Sequence, residues 1–146
     1  HYDGQVTWDP YLQPSTFHGV TTAVMGKCGV GFAPCKPEQR DWLLSLMEGV
    51  EDIPGSALAE GIKWNWESFA EYMDAVEASP LALDVGLQIP HAAVRAYVMG
   101  ERAPALERGS EAEREEMGRL VVEALNAGAI GFATSRTGKH KDGEGG

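Results

Sequence analysis

Three short, mostly apolar runs recur along this chain with helical segments between them: Val20-Thr21-Thr22-Ala23-Val24-Met25, Leu83-Asp84-Val85-Gly86-Leu87-Gln88-Ile89 and Ala129-Ile130-Gly131-Phe132-Ala133-Thr134. Strands that lack a clean polar face have nothing to offer water. Such strands belong in a parallel sheet with helices over both faces. The alternation therefore predicts an α/β fold.

The segments between the strands carry their own signals. Pro14-Ser15-Thr16-Phe17-His18-Gly19 reads as a short helix closed by its glycine. Pro37 suits the first position of a helix, Glu38 complements the dipole in its first turn, and Trp42, Leu43, Leu46 and Met47 recur at helical spacing up to Gly49, a stop signal. Residues 50 to 65 have no clean period and read as an excursion. Trp66, Phe69, Tyr72, Met73 and Val76 mark a further helix that ends at Ser79-Pro80, and His91 to Tyr97 a short one before Gly100. Ser110 and Glu113 form a capping box, followed by an apolar stripe of Met117, Leu120, Val121, Ala124 and Leu125 and a stop at Gly128.

An α/β barrel needs eight strands and about 250 residues. Three strands with their helices, and a strand end at residue 1, make this chain of 146 residues roughly the first half of such a barrel. The missing initiator methionine and the polar tail from Gly138 to Gly146 agree with a piece of a longer chain.

Charge and cysteine usage narrow the chemistry. With 12 basic and 22 acidic side chains the chain carries −10, which argues against nucleic acid or an anionic membrane surface as partner. No run approaches the roughly 18 apolar residues of a membrane span and no signal peptide is evident, so a cytoplasmic location is expected. Cys28 and Cys35 make no disulfide framework and fit no zinc-ribbon spacing; a reduced pair is expected. Imidazole and thiolate are nevertheless zinc's preferred ligands, and both occur where strands end: His1 in His1-Tyr2-Asp3-Gly4, Cys28 in Gly26-Lys27-Cys28-Gly29-Val30-Gly31. In α/β barrels the carboxyl ends of the strands carry the active site.

Four segments together carry a resemblance: His1-Tyr2-Asp3-Gly4-Gln5, Gly26-Lys27-Cys28-Gly29-Val30-Gly31-Phe32-Ala33-Pro34, Val50-Glu51-Asp52-Ile53-Pro54-Gly55 and Gly131-Phe132-Ala133-Thr134-Ser135-Arg136-Thr137. Over nearly its whole length the chain resembles the amidohydrolase superfamily, in its D-aminoacylase or N-acyl-D-amino-acid deacylase branch. The resemblance implies that residues 1–146 are part of one catalytic barrel, cut at both ends. It implies one or two zinc ions, with His1 as the second histidine of a His-x-His pair and Cys28 as a ligand where other relatives use a lysine of the fourth strand. Ala129 to Thr134 contains no lysine. At Lys27 the chain departs from the usual asparagine. The implied substrate is a small N-acylated D-amino acid, hydrolysed to the free amino acid and a carboxylate. The general base, an aspartate late in the barrel, and two further histidines would lie outside this chain.

Other residues carry weaker expectations. Asp3 is a candidate to orient a histidine ligand. Ser135 and Arg136 stand where a substrate carboxylate would be held, Arg136 by bidentate hydrogen bonds. His91 follows Pro90 at a strand end, where a capping role competes with a substrate-binding one. Cys35 is expected to be chemically silent.

Rival readings are a cyclic amidase of the hydantoinase or dihydroorotase kind, which usually carries the bridging lysine, and a noncatalytic binding module of the same fold. Copper monooxygenases also place a histidine first, but on a β-sandwich that the 110–127 helix does not fit. Lacking its base and half its ligands, the 146-residue chain alone is expected to be inactive. Measurable deacylation of an N-acetyl-D-amino acid by the purified chain would contradict that.

Overall fold

The computed structural model describes residues 2–51, 53–105 and 107–135. Three strands, β1 (Thr22–Met25), β2 (Asp84–Pro90) and β3 (Gly131–Ala133), form one parallel sheet in the order β1-β2-β3. Register runs from Thr22 opposite Asp84 to Met25 opposite Leu87, and from Gln88 opposite Gly131 to Pro90 opposite Ala133. Consecutive parallel neighbours joined through helices are the repeating unit of a (β/α) barrel, and this chain is a partial one.

Among the described residues six α-helices accompany the sheet: α1 (Tyr2–Gln5), α2 (Arg40–Glu51), α3 (Gly55–Gly61), α4 (Phe69–Glu77), α5 (His91–Met99) and α6 (Glu111–Ala127). Short 3-10 turns cover Ser15–His18, Pro37–Gln39 and Gly100–Arg102. Capping boxes start both α4 and α6: the Ser68 hydroxyl accepts from Glu71 N–H and the Ser110 hydroxyl from Glu113 N–H. No helix among the described residues is long and apolar enough to cross a membrane.

The core forms between the helices and one face of the sheet. Met25, Leu87 and Ile89 from the strands, Leu43 and Met47 from α2, Tyr72 and Val76 from α4, and Val94 from α5 are all buried in one cluster. Period-two geometry places Ala23, Met25, Val85, Leu87 and Ile89 on that face.

Three expectations change. The sheet is covered on one face only among the described residues: Thr22, Val24 and Asp84 on the other face are exposed, Val24 by 50%. Apolar composition signals burial but does not say by what. Gly49 does not end α2, which continues to Glu51; the burial of Leu43, Leu44, Leu46 and Met47 outweighs the roughly 1 kcal/mol that an internal glycine costs. The excursion contains α3, seven residues with glycine at both ends, docked by the fully buried Leu58. It is too short for a period to show.

At the carboxyl end of β1 the chain turns through Gly26, with φ of +79° and an imaginary β-carbon only 2.1 Å from the Gln88 carbonyl oxygen. A side chain is excluded both by the left-handed backbone and by the neighbouring strand. Gly26→Ala is expected to destabilise the intact protein by at least ~1–3 kcal/mol from backbone strain alone, and Ser110→Ala by ~1 kcal/mol through the lost cap. Denaturant unfolding of both variants checks the order: a Gly26→Ala cost at or below that of Ser110→Ala would contradict this packing.

Candidate active site

The loop after β1 is held in place by hydrogen bonds from four directions. A tight turn joins Gly29 N–H to Gly26 O (3.1 Å), and Gly29 O accepts from Ala92 N–H of α5 (2.9 Å). The Ser135 hydroxyl donates to Cys28 O at 2.6 Å, bridging the ends of β1 and β3. From below, Trp66 Nε1 donates to Phe32 O (2.9 Å) and Cys35 N–H donates to Glu67 O (2.8 Å). Buried backbone groups need such partners, and here they fix the loop.

An aromatic stack supports this loop. Phe32 meets Trp64 edge-on at 5.7 Å, Trp64 meets Trp66 at 5.6 Å, and Trp66 meets Tyr72 at 5.0 Å between centroids. The Arg40 guanidinium lies over Trp64 at 5.3 Å, a favourable cation–π arrangement. Trp64 and Trp66 thus serve packing beneath the loop.

Asp3 is buried, and its Oδ2 accepts from Gly26 N–H at 3.4 Å. A β-carbon at Gly31 would lie 3.2 Å from Asp3 Oδ1 and 2.9 Å from Pro90 Cγ. The missing side chain there lets the carboxylate sit against the loop. Burial raises the Asp3 pKa, and the Gly26 N–H opposes that shift. From α4 the buried Tyr72 hydroxyl donates to the Asp3 backbone carbonyl at 2.8 Å. Burial, and next the Asp3 charge, hold the Tyr72 phenol well above its ordinary pKa, so it remains a donor.

These pieces enclose an open cleft of about 310 Å³ at the carboxyl end of β1, with Tyr2, Asp3, Lys27, Cys28 and Glu51 in its lining. Cys28 is half-buried, Lys27 exposed, and residues 29 to 35 are buried. The Cys28 thiol faces the Val30 carbonyl at 3.7 Å. A thiol and a carboxylate in one cleft are donors that zinc accepts, and in this respect the residues fit the metal. Among the described residues no three His, Cys, Asp or Glu side chains gather to hold a metal.

The structure thus brings Cys28 and Asp3 together. His1 and Arg136 lie outside the described residues. His91 is the first residue of α5, half-buried, with its ring edge-on to Phe132 at 6.1 Å between centroids. Ser135 is exposed and tied to the Cys28 carbonyl. Neither His91 nor Ser135 lines the cleft. Sequence reasoning gave no role to Tyr2 or Glu51; the Glu-Asp-Ile-Pro segment was the available signal for the latter. For Tyr72 none existed, because its partner is 69 residues away.

Comparison with known proteins bears on this site. The sequence pattern of the Amidohydrolase family matches residues 1–144. A D-aminoacylase from Alcaligenes xylosoxydans xylosoxydans is 35% identical over 124 residues, 84% of this chain and 22% of that protein. A D-aminoacylase crystal structure superposes with a TM-score of 0.68 at 30% identity, covering 92% of this chain and 25% of the other. An N-acyl-D-glutamate deacylase from Bordetella bronchiseptica, solved with zinc and a phosphonate inhibitor, superposes with a TM-score of 0.65 at 28% identity over 91% of this chain and 25% of the other. The chain therefore spans no more than a quarter of the length of these relatives.

Both cysteines are free. Burial pushes the Cys35 thiol up to about 12 from an ordinary 9.0, with the Arg40 charge opposing. Between those values the folded protein keeps a proton that the unfolded chain has lost, so this thiol makes stability fall as pH rises across the window. Cys35→Ala is expected to flatten that fall, read from denaturant titrations at several alkaline pH values. An unchanged slope would contradict the assignment.

Proposed function

We propose, for a chain that belongs to the amidohydrolase family, that its parent protein is a zinc-dependent hydrolase of N-acyl-D-amino acids. One observation carries the reading: Cys28, delivered by the carboxyl end of β1, lines the same cleft as the buried Asp3. The likeness to D-aminoacylases supports the choice of substrate class. Residues 1–146 would form part of the catalytic barrel, with the open sheet face turned toward its interior.

In this reading Cys28 and His1 hold the metal, and Asp3 orients the segment that carries the histidine. Zinc, when bound, supplies Lewis acidity toward water and toward the scissile carbonyl. The chain's own contribution is placement. Ser135 and Ala92 hold the two successive carbonyls of Cys28 and Gly29, so the backbone that carries the thiol is fixed on its carboxyl side. Tyr72 fixes the Asp3 carbonyl, and the Gly26 N–H fixes its carboxylate. Ligands held this way are preorganised, and that is worth more to a metal site than ligands on mobile arms. His91, directly after β2, is a candidate for the substrate, as is Arg136 by the sequence reading.

The test uses the intact protein. Cys28→Ser is expected to lower bound zinc, measured by elemental analysis, and to reduce hydrolysis of N-acetyl-D-amino acids by orders of magnitude. Zinc should also protect Cys28 from alkylation, and a chelator should remove that protection. Unchanged zinc stoichiometry in the serine variant would refute the ligand role.

A further inference from the structure

We propose that Lys27 is a specificity-determining residue of this cleft, its ammonium receiving the carboxylate of an anionic substrate. The identity of that substrate rests on the amide-hydrolase reading above; the selection by charge rests on the cleft alone.

Asp3 and Glu51 are both acidic, and Lys27 is the sole cation among the described residues that line the cleft. The whole chain carries −10, and a net field of that sign repels an approaching anion unless a local positive charge offsets it. Lys27 makes no ion pair or hydrogen bond with another described residue. Each Glu-paired arginine of α6 and its neighbourhood, by contrast, is already neutralised: Arg102 by Glu107 and Glu113, Arg119 by Glu116 and Glu123.

Position adds to charge. Gly26, on one side of Lys27, is jammed against the Gln88 carbonyl, and the carbonyl of Cys28, on the other, is held by Ser135. The backbone of Lys27 is thus pinned at both ends while its four-carbon stem stays free to aim the ammonium. Lys27 and Cys28 are sequence neighbours lining one cleft, with Cα atoms about 3.8 Å apart. In an N-acyl amino acid the carboxylate sits on the carbon next to the amide nitrogen. A carboxylate held by Lys27 therefore leaves the amide in the same cleft that Cys28 lines.

Cys28 itself reports on the charge. Iodoacetate and iodoacetamide share a reacting carbon and differ in a carboxylate, so the ratio of their alkylation rates cancels any change in the thiol's nucleophilicity. Cys35 is buried and does not compete. In the intact protein, with chelator present to expose the sulfur, K27Q is expected to lower the iodoacetate-to-iodoacetamide ratio about fivefold, the worth of one charge pair near 4 Å in water. K27R should keep the ratio, and added salt should lower it in the parent protein but not in K27Q. With an N-acetyl-D-amino acid, K27Q should raise KM and leave kcat, whereas the uncharged C-terminal amide should be unaffected. An unchanged ratio, or equal slowing with both reagents, overturns the proposal. Absent turnover together with the expected fall in ratio would remove the hydrolase reading and keep the role of Lys27; turnover with an unchanged ratio would do the reverse.

Discussion

Two backbones meet at the carboxyl edge of the sheet, where the α-carbon of Gly26 faces the Gln88 carbonyl oxygen with no room for a β-carbon. The site inherits its shape from that approach. Because β1 can pass so close to β2, the chain folds back over the strand ends instead of running outward. Cys28 then comes within reach of Ser135 at the end of β3, and Gly29 within reach of Ala92 at the start of α5. A bulkier residue at position 26 would push the loop away and take the Gly26 N–H from the Asp3 carboxylate. That carboxylate is already desolvated, and losing a charge-assisted partner in the interior costs far more than at the surface.

How much of this was legible beforehand follows from the range over which each signal acts. The βα alternation, the capping box of α6 and the strand end that carries Cys28 are local, and local chemistry writes them into a few adjacent residues. Gly49 misled because its signal is local too, while the burial that overrides it is not. The seven residues of α3 are defined by docking through Leu58, which no short window reveals. The open face of the sheet is the clearest limit: Val24 looks like a core residue in sequence, and its burial depends on what faces it. At the site, Cys28 and Asp3 could be nominated by residue type and position. Tyr72 could not, because nothing in a buried helical tyrosine says which carbonyl it will find.

Electrostatics divides the cleft into two regimes. Its deep end holds a carboxylate whose ionisation is resisted by burial and favoured by hydrogen bonding that includes the Gly26 N–H. Its mouth holds a solvated ammonium in an otherwise acidic chain. The low effective dielectric of the deep end magnifies small changes in hydrogen bonding, whereas charge at the mouth acts mainly on what enters. The buried carboxylate and the exposed ammonium thus belong to different electrostatic environments of one small space.

The two hydrogen bonds that complete this arrangement close very long loops. Asp3 and Tyr72 are 69 residues apart, and Cys28 and Ser135 are 107 apart. Closure entropy grows with such separations, so contacts of this kind form after the local helices. During synthesis the amino-terminal part leaves the ribosome first, and residue 28 must wait for more than a hundred later residues before its carbonyl finds a donor. The loop that carries the thiol therefore takes its final backbone shape only once the last strand of the sheet has been made.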